Sequence, residues 1–435
     1  MKRIHTKEVA SCVGEKVLVA GFVQVTRNQG KIGFIILRDI SGEIQVVVIK
    51  QELISILTTI TNESVVEIVG IVKEDKQAPN GVEIEMESIE ILSHAEPELP
   101  IPIIIKTGEE TELPKRLDWR FVDLRKPENT LIFKVWTFME QAFREYWTSN
   151  EYIEIHSPKL MSSPSESGAE LFEVKYFDRV AYLAQSPQFY KQMGMASGFE
   201  KVFEVGPVFR ANPSFTSRHD TEFTGYDCEI SYVKSHHDVM EEEAKALQFM
   251  LSKVSEKYVT EIEKFFDRKV VVPTLPFPKV TMKEAKEILK NLEVPSTEDG
   301  DLSPEEERAL SKYILDTQGH EFVFVTDYPA YVRAFYHMRH DDDDTLTKSF
   351  DLLWNGIEIT TGAQREHRYE KLCKQVKEKG LHLEPIQNYL NFFRYGCPPH
   401  GGFGLSPTRL LMKLLNVQNV REVTYVYRGP KRLDP

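Results

Sequence analysis

The sequence predicts an α+β protein in two parts: an N-terminal five-stranded β-barrel, then a larger domain of helices on a mostly antiparallel sheet. Three observations predict it. The first hundred residues carry five runs rich in Val and Ile, often of alternating polarity and separated by turn-forming residues. A proline-rich stretch, EPELPIPIIIKTGEETELP, follows and marks a boundary. Beyond it, helical periodicities interleave irregularly with short strand-like runs. The domains expected are 1–100 for the barrel, 101–128 for a hinge or linker and 129–435 for the large domain.

The barrel runs are VLVAGFVQVTR, GKIGFIILRD, GEIQVVVIK, SVVEIVGIVK and GVEIEMESIEIL, broken at NQGK, SG and APNG. Five short strands in this length suit a small closed barrel of the oligonucleotide-binding type, and the same pattern suits a β-sandwich. Next, TLIFKVWTFMEQAFREYW sets Leu131, Val135, Phe138, Met139, Ala142, Phe143 and Tyr146 at helical spacing. Core packing and a dimer interface both explain that stripe. Further on, KVFEVGPVFR and EFTGYDCEISYV read as strands of a hairpin, and HHDVMEEEAKALQFMLSKVSEKY as a long helix. HEFVFVTDYP and KSFDLLWNGIEITTG are further strands, and a helix follows GGFGLSPTR. The acidic run at 341–344 reads as a solvated loop.

Composition narrows the function classes. With 435 residues, 41% hydrophobic and 28% charged, the chain has the balance of a soluble globular protein with a large core. Its formal charge of −13 argues against indiscriminate nucleic-acid binding, while leaving room for a local basic face. Cys12, Cys228, Cys373 and Cys397 are scattered without metal-ligand spacing, which argues against a disulfide framework or structural zinc. No apolar run has membrane-spanning length and the N-terminus lacks a signal-peptide core, so a cytoplasmic location is expected. Neither GxxxxGK[ST] nor a GxGxxG-type dinucleotide motif occurs.

Four constellations carry chemistry. In FRANPSFTSRHDTEFTGYD, Arg210 and Arg218 flank a hairpin loop and suit two phosphates. Phe223 on the returning strand can stack on a base, and Asp227 on the same face can hold an ammonium group. In FDLLWNGIEITTGAQREHR, Asp351, Glu358 and Thr361 are oxygen ligands suited to Mg²⁺ on a polyphosphate. In GGFGLSPTR, Gly402 and Gly404 permit close backbone approach, and Arg409 opens a helix where it can lie over a flat base. In YLAQSPQFYKQ, Gln185, Gln188 and Lys191 can converge on a small polar ligand. Taken singly, each also reads as surface ion pairs, solvated carboxylates, a packing turn or a polar helix start. Their coincidence in one domain favours a site.

These runs resemble the class II aminoacyl-tRNA synthetases, and within them the aspartyl-tRNA synthetases of the compact archaeal type. The resemblance spans nearly the whole chain. It includes EYIEIHSPKLM with Pro158, FRANPSFTSRHDTEF and GGFGLSPTR at the three class motifs, RLDWRFVDLR at 116–125 and the barrel pattern GKIGFIILRD…GEIQVVV. It implies ATP, L-aspartate and tRNA-Asp as partners, Mg²⁺ as cofactor and a homodimer. Aspartate would be activated to aspartyl-adenylate and passed to the terminal adenosine of the tRNA, with tRNA-Asn left open as a second acceptor.

By the same resemblance, Lys191 and Arg365 would bind the substrate side-chain carboxylate, Asp227 and Gln185 the α-ammonium end, and Glu166 would lie in a loop that closes over aspartate. Arg210 would bridge the aspartate α-carboxylate and the α-phosphate. Arg218 and His219 would hold the γ-phosphate, and Phe223 and Arg409 would sandwich the adenine. Phe34 would stack on an anticodon base and Gln45 would bond the central uracil. The chain departs from the family at Asn212, where a glutamate that reads the adenine amino group is usual, and at its C-terminal VYRGPKRLDP. The alternatives are an asparaginyl-tRNA synthetase, an amidating asparagine synthetase paralogue and a non-catalytic tRNA-binding paralogue. Lys191 argues against the first, the barrel against the second, and the intact arginines with Asp351 and Glu358 against the third.

Overall fold

The computed structural model describes residues 1–104, 110–163, 170–213 and 216–434. It divides into two compact units, Met1–Thr111 and Glu112–Pro435, so RLDWRFVDLR falls in the second.

In the first unit, β1 (Lys16–Asn28), β2 (Gly33–Asp39), β3 (Gly42–Val48), β4 (Val65–Glu74) and β5 (Val82–Ser93) form a closed barrel in the order β1-β2-β3-β5-β4. Closure, with β4 pairing back onto β1, decides for the barrel over the sandwich. Alternation does the sorting: Ile35 and Leu37 of β2 point inward with Ile44 and Val46 of β3, while Phe34 and Ile36 turn outward. Gly21 is required where β1 crosses β2, because a Cβ there would stand 2.3 Å from the carbonyl oxygen of Arg38.

The second unit contributes β6 (Ile153–Glu154), β7 (Leu160–Met161), β8 (Glu173–Tyr176), β9 (Arg179–Leu183), β10 (Lys201–Phe209) and β11 (Glu222–Ser231). It continues with β12 (Lys279–Thr281), β13 (Phe322–Thr326), β14 (Ser349–Trp354), β15 (Ile357–Arg365) and β16 (His400–Leu405). Among the described residues these make an eight-stranded sheet, β12-β13-β14-β15-β16-β11-β10-β6, and a small sheet β7-β9-β8. The large sheet is antiparallel except at β12–β13 and β10–β6. In the small sheet the run VAYLAQS announces β9, whereas β7 and β8, at two and four residues, are too short to show a period.

One face of the large sheet is covered by two helices, Pro127–Ser149 and His236–Phe266. The first starts at a proline, whose missing N–H costs nothing there. The second is capped by Ser235 and Asp238 acting reciprocally. Leu131, Val135, Met139, Ala142 and Phe143 are buried in the core under them. Phe138 and Tyr146, at the edge of the stripe, meet Tyr258 and Phe249 of the long helix at ring separations of 5.7 and 5.6 Å. Packing within the chain thus accounts for the apolar stripe. Tyr226 and Cys228 of β11 face this core, which leaves Phe223, Gly225 and Asp227 on the sheet's other side. Among the described residues no helix is long and apolar enough to cross a membrane. Asp341 to Asp344 are exposed, as the acidic run suggested.

Candidate active site

The hairpin β10–β11 pairs Phe209 with Glu222, so the described residues 210–213 and 216–221 belong to its loop. Period-two alternation brings Phe223, Gly225 and Asp227 to a cavity of about 360 Å³ on the uncovered face of the sheet. The row continues sideways: Asp227 pairs with Gly404 of β16, and Gly404 with Thr361 of β15. Residues distant in sequence therefore share one wall.

Five arginines border the cavity: Arg210, Arg218, Arg333, Arg365 and Arg409. Arg210 lies 5.6 Å from the Phe223 ring centre and donates through Nε to the Gln185 carbonyl at 3.4 Å. Arg218 donates to Glu307 Oε2 at 2.6 Å. Arg409, in the first turn of helix Pro407–Leu414, donates to the Glu358 carbonyl at 2.9 Å and to Glu358 Oε1 at 3.2 Å. Burial, and then the positive charge of Arg409, Arg218 and Arg210, pushes the His219 imidazole down to about 4. It is neutral at neutral pH and presents a hydrogen-bonding ring rather than a further cation. Such a cluster is suited to a polyanion.

Gln185, Gln188, Asp227 and Arg365 also line the cavity, and Lys191 does not. Lys191 lies behind Asp227, with Nζ 2.9 Å from Asp227 Oδ1 and 3.5 Å from Glu229 Oε2 and a hydrogen bond of 3.1 Å to the Phe403 carbonyl. The Arg365 fork grips Glu229, Nε to Oε1 at 2.9 Å, and Nη2 donates to the Gly402 carbonyl at 2.9 Å. Burial would raise the Glu229 carboxyl, but Arg365 and then Lys191 hold it below its usual range. Gly402 makes room for this pair. A Cβ there would stand 2.1 Å from the Cys228 carbonyl and 2.3 Å from Glu229 Oε2.

The oxygen ligands separate. Glu358 and Thr361 both line the cavity, with the Thr361 hydroxyl donating to Glu358 Oε1 at 3.3 Å. Asp351 is paired with Thr361 across β14 and β15, yet its carboxylate is buried and takes Arg333 at 2.6 Å. No group of three or more His, Cys, Asp or Glu side chains among the described residues is arranged as a metal site. Glu358 and Thr361 nevertheless fit a cation whose remaining ligands are phosphate oxygens, since Mg²⁺ characteristically takes only one or two carboxylates from the protein.

On the barrel, Phe34 and Gln45 share the outer face of β2–β3, where Phe34 pairs with Val47 and Ile36 with Gln45. Gln45 donates to Glu83 Oε2 at 2.8 Å. Glu166 lies outside the described residues.

Sequence reasoning missed Glu229, Glu307, Arg333 and Asp220, which stand beside the predicted residues. Glu229 had a usable signal: it follows Phe223, Gly225 and Asp227 at period two. Glu307 and Arg333 come from elements remote in sequence, a helix Pro304–Gln318 and the connection before β14, and had none.

A family model described as tRNA synthetases class II (D, K and N) matches residues 112–427, and one described as OB-fold nucleic acid binding domain matches 17–92. The chain is 42% identical to the aspartate–tRNA(Asp) ligase of Pyrococcus abyssi over 97% of each. It is 41% identical to the aspartate–tRNA(Asp/Asn) ligase of Aeropyrum pernix over 99% of this chain and 98% of that one. Its structure is similar to that of the asparaginyl-tRNA synthetase from Pyrococcus horikoshii complexed with asparaginyl-adenylate, with a TM-score of 0.93, 34% identity and all of both chains covered.

Proposed function

The chain belongs to the class II tRNA synthetases and is an aspartate–tRNA ligase, and we propose how its residues divide that work. One observation carries the reading: a single cavity is bordered both by the cationic set Arg210, Arg218 and Arg409 and by the polar set Gln185, Asp227 and Arg365. A polyphosphate and a small zwitterion with a carboxylate side chain match those two sets.

Arg210 bridges the aspartate α-carboxylate and the α-phosphate of ATP, Arg218 and His219 hold the γ-phosphate, and Phe223 with Arg409 encloses the adenine. Arg365 faces the substrate side-chain carboxylate, while Gln185, Gln188 and Asp227 orient its ammonium end. Lys191 acts on the same carboxylate through the Asp227–Glu229 cluster it neutralises. Glu358 and Thr361 would hold Mg²⁺, and Asp351 would join them only by exchanging its Arg333 partner. When bound, the cation supplies charge neutralisation on the polyphosphate.

Activation is then an in-line attack of the aspartate carboxylate on the α-phosphorus, releasing pyrophosphate. The terminal adenosine hydroxyl of tRNA-Asp next attacks the mixed anhydride. Arginines positioned before the reaction stabilise the charge at phosphorus, so no protein nucleophile is required. In the barrel, Phe34 stacks on an anticodon base and Gln45 reads the central one. A homodimer is part of this proposal, and a monomeric mass by light scattering at micromolar concentration would refute that part.

The direct test is ATP–pyrophosphate exchange with Mg²⁺ and either Asp or Asn, without tRNA. Exchange with Asp alone is expected. Exchange with Asn alone would overturn the amino-acid assignment, and no exchange with either would overturn the catalytic one.

A further inference from the structure

Asp220 has no role in the division of labour above, yet it stands at the centre of it. It closes the hairpin loop two residues after Arg218 and three before Phe223. It is 6% exposed and borders two cavities at once. One is the cavity of the site. The other, of about 550 Å³, lies on the far side of Phe223 and is lined also by Trp136, Thr424 and Arg428. Phe223 and Thr408 border both as well, so Asp220 belongs to the partition that carries the base platform.

Its carboxyl is half satisfied. Oδ2 accepts a long bond of 3.4 Å from the Thr424 hydroxyl. Oδ1 is out of solvent and has no hydrogen-bond partner among the described residues. Arg409 and Arg421 act on it only through their charge, and burial pushes the carboxyl up to about 7. A buried acceptor left unmade costs about 1–3 kcal/mol, so the fold tolerates at this spot a defect that a ligand can repair. In either protonation state the carboxyl keeps one oxygen that accepts a hydrogen bond.

We infer that Asp220 is a specificity-determining residue for the nucleotide: its carboxyl, turned from its buried setting toward the cavity it borders, accepts a hydrogen bond from the exocyclic amine of the adenine held by Phe223 and Arg409. This rests on the proposed placement of ATP in the cavity. The competing acceptor is Asn212, which also borders the cavity and stands where the resemblance puts an adenine-reading residue.

The test compares ATP with purine ribonucleoside triphosphate, which lacks the 6-amino group, in aspartate-dependent pyrophosphate exchange. The wild-type enzyme is expected to show a KM at least about tenfold higher for the deamino nucleotide, the size of one hydrogen bond to such a group. In Asp220→Leu the two nucleotides should have KM values within about twofold of each other. Asp220→Asn should keep a measurable preference for ATP, since its amide oxygen still accepts. The readout is a ratio within one variant, so a general loss of stability or activity does not move it. Where Asp220→Leu yields no soluble enzyme, Asp220→Ala supplies the same ratio. A wild-type ratio near one, a ratio unchanged in the Leu and Ala variants, or a ratio that collapses only in Asn212→Ala would each overturn the inference. Absence of exchange by the wild type with ATP and aspartate would instead overturn the function on which it rests.

Discussion

Glu229 receives Arg365 Nε on its Oε1 at 2.9 Å, and both side chains are out of solvent. An ion pair in that position is sustained by its partner, because removing one member leaves a buried charge uncompensated. Glu229→Gln should therefore lower the unfolding free energy at pH 7 by about 3 kcal/mol. The Glu229 carboxyl is held below its usual range, so its contribution is present above the ordinary carboxylate pKa and is lost as the pH falls through the lower folded value. Urea titrations of both proteins at pH 7 check the size; equal midpoints would contradict it.

Lys191 touches Asp227 rather than the cavity, and this difference is measurable. Replacing it by Met deprives Asp227 and Glu229 of a cation while leaving the phosphate end untouched. Lys191→Met should raise the KM for aspartate by about tenfold or more, the scale of losing one charge-assisted contact, and leave the KM for ATP within about twofold. A parallel rise in both would mean that the lysine only supports the fold.

The fold was legible because its signals are local. Alternation in GFIILRD and GEIQVVV set the barrel strands, and the loop between β10 and β11 announced itself by polar residues between two apolar runs. The cavity side of β11 followed from period two. Partnerships across the sheet were less visible. Nothing in IEITTGAQR says that Arg365 will bind Glu229, 136 positions earlier, or that Gly402 between them must lack a side chain. Asp351 shows the same limit: its type and spacing suggest a metal ligand, and its environment gives it to Arg333.

Arg218 illustrates a partner supplied from afar. Glu307, which burial pushes up to about 7 even beside that arginine, fixes one edge of its guanidinium from helix Pro304–Gln318. The guanidinium has five N–H donors, and this bond uses the Nη1 edge. Glu307→Ala should release the arginine into several rotamers and raise the KM for ATP by about three- to tenfold, with kcat little changed, at the entropic scale of one immobilised long side chain. An ATP KM that falls would show that Glu307 competes with the phosphate rather than positioning its ligand.

Beneath the site, Glu243 of the long helix is fully buried, and burial pushes its carboxyl up to about 8. A raised folded pKa means that the acid form is favoured in the native state. Its stabilising contribution is complete below the ordinary glutamate value and declines as the pH rises toward 8. Gln, which cannot ionise, lacks that decline. Between pH 5 and pH 8 the stability of Glu243→Gln relative to wild type should improve by about 3–4 kcal/mol. Thermal or urea unfolding at the two pH values checks it; a constant difference would place the proton elsewhere.

The barrel can be tested apart from the chemistry. Phe34 is half-buried on the outer face of β2, diagonal to Gln45 on β3, so its ring is available beside a hydrogen-bonding amide. Stacking of a single-stranded base on such a ring is worth about 1–3 kcal/mol, which is roughly ten- to hundredfold in affinity. Phe34→Ala removes the platform without entering the barrel core, because the inward residues Ile35 and Leu37 are untouched. It should raise the KM for tRNA-Asp in aminoacylation by that factor. Pyrophosphate exchange without tRNA should be unchanged, because ATP and aspartate are proposed to bind in the other unit. Glu83→Gln probes the neighbouring contact: it weakens the 2.8 Å bond that orients Gln45 and should relax discrimination at the base Gln45 is proposed to read. Loss of exchange in Phe34→Ala would show a defect in folding rather than in tRNA recognition, and an unchanged tRNA KM would remove Phe34 from the anticodon site.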